Sequence, residues 1–117
     1  KVLRRFNPRS TTMKVAGESL QTVRQGMHRV VMGRGGTARR ADLEKFDAAG
    51  KTGTAELGPG QPNHAWFAGF APYDEPRIAF AVVSERTPGH GGSHAAPIVA
   101  RALRTIWAEV VQTDAAE

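Results

Sequence analysis

The sequence predicts an α+β fold in which one helix precedes three antiparallel strands and a second helix packs on the resulting sheet. Two stretches, residues 20–31 and 95–111, repeat apolar residues at helical spacing. Three shorter apolar stretches lie between them and are bounded by Gly- and Pro-rich links. Because short links favour antiparallel neighbours, we expect the three strands to pair antiparallel.

The N-terminal part is predicted to hold a small hairpin and the first helix. Residues 2–6 and 11–15 predict the hairpin strands, with a proline-containing turn between them. The helix has Ser19 as its candidate cap and ends at the glycines of residues 33–36. Gly26 costs helix stability, so we expect it to pack closely against another element. The predicted apolar stripe consists of Leu20, Val23, Met27, Val30 and Val31.

Residues 48–56, 64–71 and 77–84 predict the three strands. The turn-rich loop 57–63 joins the first two, and the acidic turn Tyr73–Pro76 joins the second to the third. The third strand is apolar on both faces, which predicts a central position in its sheet. Residues 39–46 show neither period and are predicted to be a connection.

A Gly-rich loop over residues 87–94 precedes the C-terminal helix, which is predicted to begin at about Ala95. Pro97 is tolerated in its first turn, and the chain is expected to fray from Gln112. This helix is predicted to have one apolar face and an opposite face that is charged. The apolar face consists of Ile98, Val99, Ala102, Leu103, Ile106 and Val110.

The composition limits the class of protein. At 117 residues, 40% hydrophobic and 23% charged, the chain is at most one globular domain. It has no run of about 18 apolar residues, so no membrane span is predicted. It also has no cysteine, which excludes disulfides and thiolate metal sites within it.

The charge is distributed unevenly along the chain. Residues 1–40 carry ten Lys or Arg side chains and one acidic side chain, whereas residues 41–117 carry six basic and ten acidic side chains. A basic interaction module that binds nucleic acid or an anionic polymer is therefore one alternative. Phe6 is the only aromatic residue of the basic part, so the stacking platform of single-strand binders is missing. No nucleic-acid partner is expected.

The candidate site is Lys51-Thr52-Gly53-Thr54 on the first predicted strand. A lysine ammonium is a compact positive charge that attracts a substrate carboxylate. Thr52 and Thr54 are two residues apart, so a strand places both hydroxyls on one face. Gly53 has no side chain, which lets a ligand or another backbone approach the strand. An ordinary Gly-Thr strand with a solvated lysine remains open from these residues alone.

Other motif interpretations fit less well. A phosphate-binding loop that ends at Gly50-Lys51-Thr52 needs a glycine where the sequence has Lys45. Gly33–Ala38 has the outline of a dinucleotide fingerprint, but it follows a predicted helix rather than a strand. We therefore reject both nucleotide sites.

The histidines do not predict a metal site. His90 and His94 lie four residues apart in a Gly-rich loop, and no carboxylate or cysteine nearby completes a ligand set. They are predicted to be structural or solvated, and His64 is predicted to start a strand near the cleft that holds the candidate site at residues 51–54. No metal and no cofactor are expected.

Several motifs in a fixed order extend the Lys51 stretch. The helix Leu-x-x-Val-x-x-Gly-Met-x-x-Val-Val (20–31) precedes Gly36-Thr37-Ala38, and the Lys51 strand, the strands 64–72 and 77–85, and Gly-Gly-Ser-His-Ala-Ala-Pro (91–97) follow. This order over residues 15–108 resembles the C-terminal part of the transpeptidase domain of class B penicillin-binding proteins, most like the elongation-type peptidoglycan transpeptidases. The resemblance implies the fold shared by serine β-lactamases and penicillin-binding transpeptidases, with these strands as its third to fifth.

The resemblance also implies a D,D-transpeptidase that cross-links peptidoglycan stem peptides. In that family a serine attacks the penultimate D-Ala carbonyl, releases the last D-Ala and passes the acyl group to an amine, and β-lactams acylate the same serine. By position, Lys51, Thr52, Gly53 and Thr54 would bind the substrate, with Lys51 also serving the proton network. The Thr54 backbone N–H would be an oxyanion-hole donor. Cell-elongation proteins would be partners, at the outer face of the bacterial cytoplasmic membrane, with the anchor outside this chain.

The nucleophile motif of the family is missing. The family carries Ser-x-x-Lys and Ser-x-Asn or Ser-x-Asp, and neither pattern occurs at Ser10, Ser19, Ser84 or Ser93. Residues 1–117 are therefore expected to be a C-terminal fragment of the domain that is inactive by itself. The last strand would then expose an apolar edge, through which we expect the isolated chain to dimerise. A non-catalytic penicillin sensor, which would need the same serine, is a further alternative.

Overall fold

A computed structural model describes residues 7–112. Its elements are α1 (Gly17–Met32), a 3-10 helix (Glu44–Phe46), β1 (Ala49–Ala55), β2 (Asn63–Ala71), β3 (Ile78–Thr87), a π-helical turn (Gly91–Ala95) and α2 (Ala96–Gln112). The predicted α+β class and order of elements are confirmed. The sequence does not predict the 3-10 helix or the π-helical turn. No helix within residues 7–112 is long and apolar enough to cross a membrane.

Helix α1 begins earlier than predicted. Its N-cap is Ala16, and no side chain hydrogen-bonds at this cap, so the prediction of Ser19 as the cap is wrong. The backbone of Ala16 is extended, which already separates the helix from the preceding segment and leaves Ser19 inside the first turn. At the other end, the Gly33 N–H donates to the Arg29 oxygen over 2.9 Å. The predicted stop at the glycines is confirmed.

The segment before α1 and the first half of this helix are exposed. Residues 7–16 form no strand, so the prediction of a strand over residues 11–15 is wrong, and residues 2–6 lie outside the described part. Met13, Leu20 and Val23 are exposed, whereas Val31 near the end of the helix is fully buried. An isolated two-stranded hairpin is marginal in water, which agrees with the irregular, exposed course of residues 11–15.

Gly26 does not pack against another element of the described chain. A Cβ at this position would have no heavy atom within 4 Å, so the prediction of close packing is wrong. Glycine inside a helix costs about 0.5–1 kcal/mol relative to alanine. We therefore expect Gly26→Ala to raise the free energy of unfolding by about that amount, as measured by urea denaturation.

The matched control for this substitution is Gly58→Ala. Gly58 has a φ of +128°, a backbone conformation that residues other than glycine rarely adopt. This change is therefore expected to destabilise the protein. A loss of stability in Gly26→Ala would contradict the prediction.

Strand β2 lies in the middle of the sheet and pairs antiparallel with β1 and β3. Strand β3 is therefore an edge strand in the described part of the chain, where the apolar pattern predicts a central position in its sheet. Its second apolar face consists of Ala79, Ala81 and Val83, which remain exposed. Because these residues are apolar, the sequence has the same pattern as a strand that is buried on both faces.

The two helices pack on opposite faces of the sheet. On one face, Phe67 lies in the buried core cluster with Val99 and Leu103 of α2. On the other face, the guanidinium carbon of Arg24 in α1 lies 5.3 Å from the centroid of the Phe70 ring. Arg24 Nη2 also donates to the Tyr73 backbone oxygen over 2.7 Å. Helix α1 therefore lies beside β1, and α2 packs against β2 and β3.

Residues 42–46 are tied to α2, which explains why this polar connection contains a 3-10 helix. Phe46 meets Trp107 edge to face, with ring centroids 4.9 Å apart. Asp42 Oδ2 accepts a hydrogen bond from Lys45 Nζ over 2.7 Å and pairs with Arg104 of α2. The Lys45 hydrogen bond, followed by the Arg104 hydrogen bond, holds the pKa of Asp42 below its usual range.

We expect the stability of the domain to fall at acid pH as Asp42 is protonated. Because the pKa of Asp42 is lower in the folded state, its contribution is present above the unfolded pKa and is lost as the pH falls through the folded pKa. Thermal unfolding between about pH 7 and pH 2 measures this loss. Asp42→Asn is the comparison and should lack this part of the pH dependence, and identical profiles would contradict the assignment.

Candidate active site

Strand β1 distributes the candidate residues over two faces of the sheet. Thr52 and Thr54 face the π-helical turn, where Thr54 Oγ1 lies 3.5 Å from His90 Nδ1. Both hydroxyls thus share one face, as the alternation of a strand requires. Lys51 lies on the other side, beside the C-terminal end of α1. Its Nζ donates to the Thr52 backbone oxygen over 2.6 Å.

The π-helical turn lies directly on the backbone of β1 and β2. A Cβ on Gly91 would stand 2.2 Å from the Trp66 oxygen and 2.8 Å from the Gly53 oxygen. A Cβ on Gly53 would point elsewhere, towards the Trp66 side chain at 3.3 Å. The close approach of a second backbone at Gly53 therefore depends on the missing side chain of Gly91.

Thr37, Thr52, Thr54 and residues 90–93 line an open depression of about 440 Å³. Thr37 Oγ1 lies 2.7 Å from Thr52 Oγ1, so one hydroxyl donates to the other. Gly92 packs closely against the loop that follows α1, as a Cβ at Gly92 would stand 1.8 Å from the Thr37 oxygen. Gly91 and Gly92 thus let the π-helical turn pack closely against the sheet on one side and against the loop that carries Thr37 on the other.

Thr37 and His90 are residues of this site that the sequence analysis does not assign to it. Thr37 appears there within a rejected nucleotide fingerprint and within Gly36-Thr37-Ala38, and His90 appears as a structural or solvated histidine. Thr37 belongs to one of the ordered motifs, Gly36-Thr37-Ala38, whereas His90 only precedes the motif of residues 91–97. Their contacts with Thr52 and Thr54 join residues that are far apart in the chain.

The histidines take part in local hydrogen bonds. The His90 backbone N–H donates to Ser93 Oγ over 3.1 Å, and Ser93 Oγ lies 2.9 Å from His94 Nδ1. His64 Nδ1 accepts the Arg86 backbone N–H over 3.0 Å at the irregular start of β2. His64 does not line the depression. Residues 7–112 contain no group of three or more potential metal ligands.

The geometry suits the binding of a carboxylate. The hydroxyls of Thr52 and Thr54 can donate hydrogen bonds into the depression. Lys51 adds a positive charge nearby, from the other side of the same strand. Hydrogen bonds to a charged acceptor are about twice as strong as neutral ones. An anionic group is therefore preferred over a neutral group at this position.

A strand with Lys-Thr-Gly-Thr beside a hydroxyl-lined depression is a feature of the penicillin-binding class of serine acyl-enzymes. The model of the penicillin binding protein transpeptidase domain matches residues 6–104. The chain belongs to this family.

Relatives and solved structures agree with this assignment. The peptidoglycan D,D-transpeptidase MrdA of Haemophilus influenzae is 33% identical over 111 residues, which cover 82% of this chain and 17% of the relative. Pseudomonas aeruginosa PBP2, solved with WCK 5153, gives a TM-score of 0.70 at 35% identity over 88% of this chain and 23% of that chain. Helicobacter pylori PBP2, solved with MreC, gives a TM-score of 0.68 at 28% identity over 79% of this chain and 17% of that chain. This chain spans less than a quarter of the length of each.

Proposed function

We propose that residues 1–117 form the C-terminal part of a peptidoglycan D,D-transpeptidase domain and supply its carboxylate-binding strand. The observation that carries this proposal is the placement of the Thr52 and Thr54 hydroxyls in one depression, on the strand that also carries Lys51. The nucleophilic serine is proposed to come from outside residues 1–117, since no Ser-x-x-Lys occurs within them.

In the proposed reaction this chain binds the donor peptide while the serine attacks the penultimate D-Ala carbonyl. The hydroxyls of Thr52 and Thr54 hold the terminal carboxylate, and the Lys51 ammonium supplies positive charge for it from the other side of the strand. The strand approaches the peptide closely at Gly53. The Thr54 backbone N–H stabilises the negative charge that develops on the carbonyl oxygen. The terminal D-Ala leaves with its amine, and an acceptor amine later takes the acyl group from the serine. A β-lactam replaces the donor peptide and acylates the same serine.

The partners and location of the whole protein belong to the same proposal. The name of MrdA and the structure of Helicobacter pylori PBP2 with MreC support a protein that works with the cell-elongation machinery. We place the domain at the outer face of the cytoplasmic membrane, where peptidoglycan stem peptides are cross-linked. The membrane anchor is proposed to lie outside this chain.

Labelling the full-length gene product with a fluorescent penicillin tests the proposal, with mass spectrometry to locate the adduct. We expect the adduct on a serine that precedes residue 1. Incubation with a D-Ala-D-Ala peptide and an acceptor amine then separates a transpeptidase, which forms the cross-linked product, from a penicillin sensor, which takes the label alone. A folded full-length protein that takes no label would contradict the acyl-enzyme function. Salt-dependent binding to DNA would then test the basic interaction module.

The exposed edge of β3 leads to a separate expectation for the isolated chain. An edge strand with exposed apolar residues can pair with a second copy, so residues 1–117 alone are expected to form dimers as the concentration rises. Sedimentation velocity measures this, and Ala81→Lys is the control because a charge on an edge strand opposes pairing. A strictly monomeric profile of the parent chain at high concentration would count against dimerisation.

A further inference from the structure

The arginines after α1 have no role in the proposed function so far. Arg34, Arg39 and Arg40 are exposed. Arg39 Nη1 lies 3.9 Å from Glu44 Oε1, a long and weak pairing. Within residues 7–112, no hydrogen bond or ion pair involves the guanidinium group of Arg34 or Arg40. Guanidinium groups that outnumber their acidic neighbours repel one another and favour a bound anion.

These arginines line a second open depression, of about 330 Å³. It shares Thr37, Gly92 and Ser93 with the depression at Thr52 and Thr54. Because the Thr37 hydroxyl lies 2.7 Å from the Thr52 hydroxyl, the arginine depression opens directly beside the proposed carboxylate site. A single ligand can therefore reach both depressions.

The backbone that carries the arginines is firmly held. The Ala38 N–H donates to the Val30 oxygen over 3.0 Å, and the Gly36 N–H donates to the Gly33 oxygen over 2.9 Å. A Cβ on Gly36 would stand 2.3 Å from the Val30 oxygen, so this loop packs directly on the end of α1. A fixed backbone limits the entropy lost when the side chains bind a ligand, which favours binding.

We propose that the depression lined by Arg34, Arg39 and Arg40 is a second anion subsite of the active site. It binds a further anionic group, a carboxylate in a peptide ligand, on a ligand whose first carboxylate lies at Thr52 and Thr54. The planar fork of a guanidinium matches a carboxylate or sulfonate through two parallel hydrogen bonds. This inference rests on the proposed function, because that function places the first carboxylate.

Two cephalosporins with the same mandelamido side chain test the subsite in the full-length protein. Cefonicid carries a sulfonate on the substituent next to the ring carboxylate, and cefamandole lacks it. The measurement is the ratio of their acylation rate constants, obtained by competition with a fluorescent penicillin. We expect the ratio of cefonicid to cefamandole to fall about threefold to tenfold in Arg34→Gln/Arg40→Gln, since two exposed ion pairs are lost.

Three comparisons complete the experiment. Arg34→Lys/Arg40→Lys keeps both charges and should retain most of the ratio, and Arg101→Gln removes an exposed arginine of α2 and should leave the ratio unchanged. Added NaCl should reduce the ratio of the parent protein, because salt screens exposed charges. An unchanged ratio in Arg34→Gln/Arg40→Gln, with both compounds still acylating, overturns the subsite alone. No acylation by either compound overturns the proposed function and the subsite with it.

Discussion

Acylation of the full-length protein by penicillin is expected to slow about 10- to 100-fold when Lys51 is replaced by alanine. Lys51 is proposed to supply positive charge for the carboxylate of the ligand, and two opposite charges about 5–11 Å apart near a protein surface attract by roughly 1.5–3 kcal/mol. Since about 1.36 kcal/mol corresponds to a factor of ten in rate, the loss amounts to one to two orders of magnitude. The second-order rate constant for labelling by a fluorescent penicillin measures it.

Lys45→Ala is the matched control for this substitution. Lys45 is also an exposed lysine, but its Nζ binds Asp42 Oδ2, away from the candidate site. Its removal should therefore leave the labelling rate close to that of the parent protein. An unchanged rate in Lys51→Ala would contradict the role of this lysine, and equal slowing in both variants would indicate an effect on folding instead.

Gly91→Ala is expected to destabilise the protein by about 3 kcal/mol, near the upper end of overpacking effects. Its Cβ would stand 2.2 Å from the Trp66 oxygen and 2.8 Å from the Gly53 oxygen. Backbone atoms of a paired strand cannot rotate away as a side chain can, so the π-helical turn must move off the sheet. This movement displaces the wall of the depression opposite Thr52 and Thr54, and we expect acylation to slow as well.

Thermal unfolding and penicillin labelling of the full-length protein measure both effects. Gly17→Ala is the control, because Gly17 lies at the start of α1, away from the candidate site, and a Cβ there would have no heavy atom within 4 Å. This control should stay close to the parent protein in melting temperature and in labelling rate. A Gly91→Ala protein with parent-like stability would show that the turn tolerates a side chain, contrary to the close approach of the two backbones.

The sequence predicts the regular elements of this fold well and the irregular ones poorly. The bounds of β1 and β2 differ from the prediction by one residue at each end or less, since a Gly- and Pro-rich loop separates the two strands. The 3-10 helix depends on Asp42 and Phe46 meeting Arg104 and Trp107 of α2. Such contacts join distant parts of the chain and produce no periodic pattern of apolar residues in the local sequence.

The candidate site is divided in the same way. Lys51, Thr52 and Thr54 are identifiable because their chemistry and spacing lie within four consecutive residues. Thr37 and His90 reach the same depression only through the packing of the loop after α1 and of the π-helical turn. The position of β3 in the sheet depends on which strands pair with it, and the sequence of β3 alone does not show this. Its exposed alanines and valine on one face have the same pattern as a buried face.

The direct contact between Gly91 and the backbone at Gly53 constrains how this domain can be recombined with its relatives. β1 and the π-helical turn are far apart in the chain, yet they meet with no side chain between them. A chimera that takes the Lys-Thr-Gly strand from one parent and the turn from another inherits two surfaces that were not shaped to fit each other. Segments 49–55 and 90–95 should therefore be exchanged as a pair, and swapping either segment alone should give the poorer yield of folded protein.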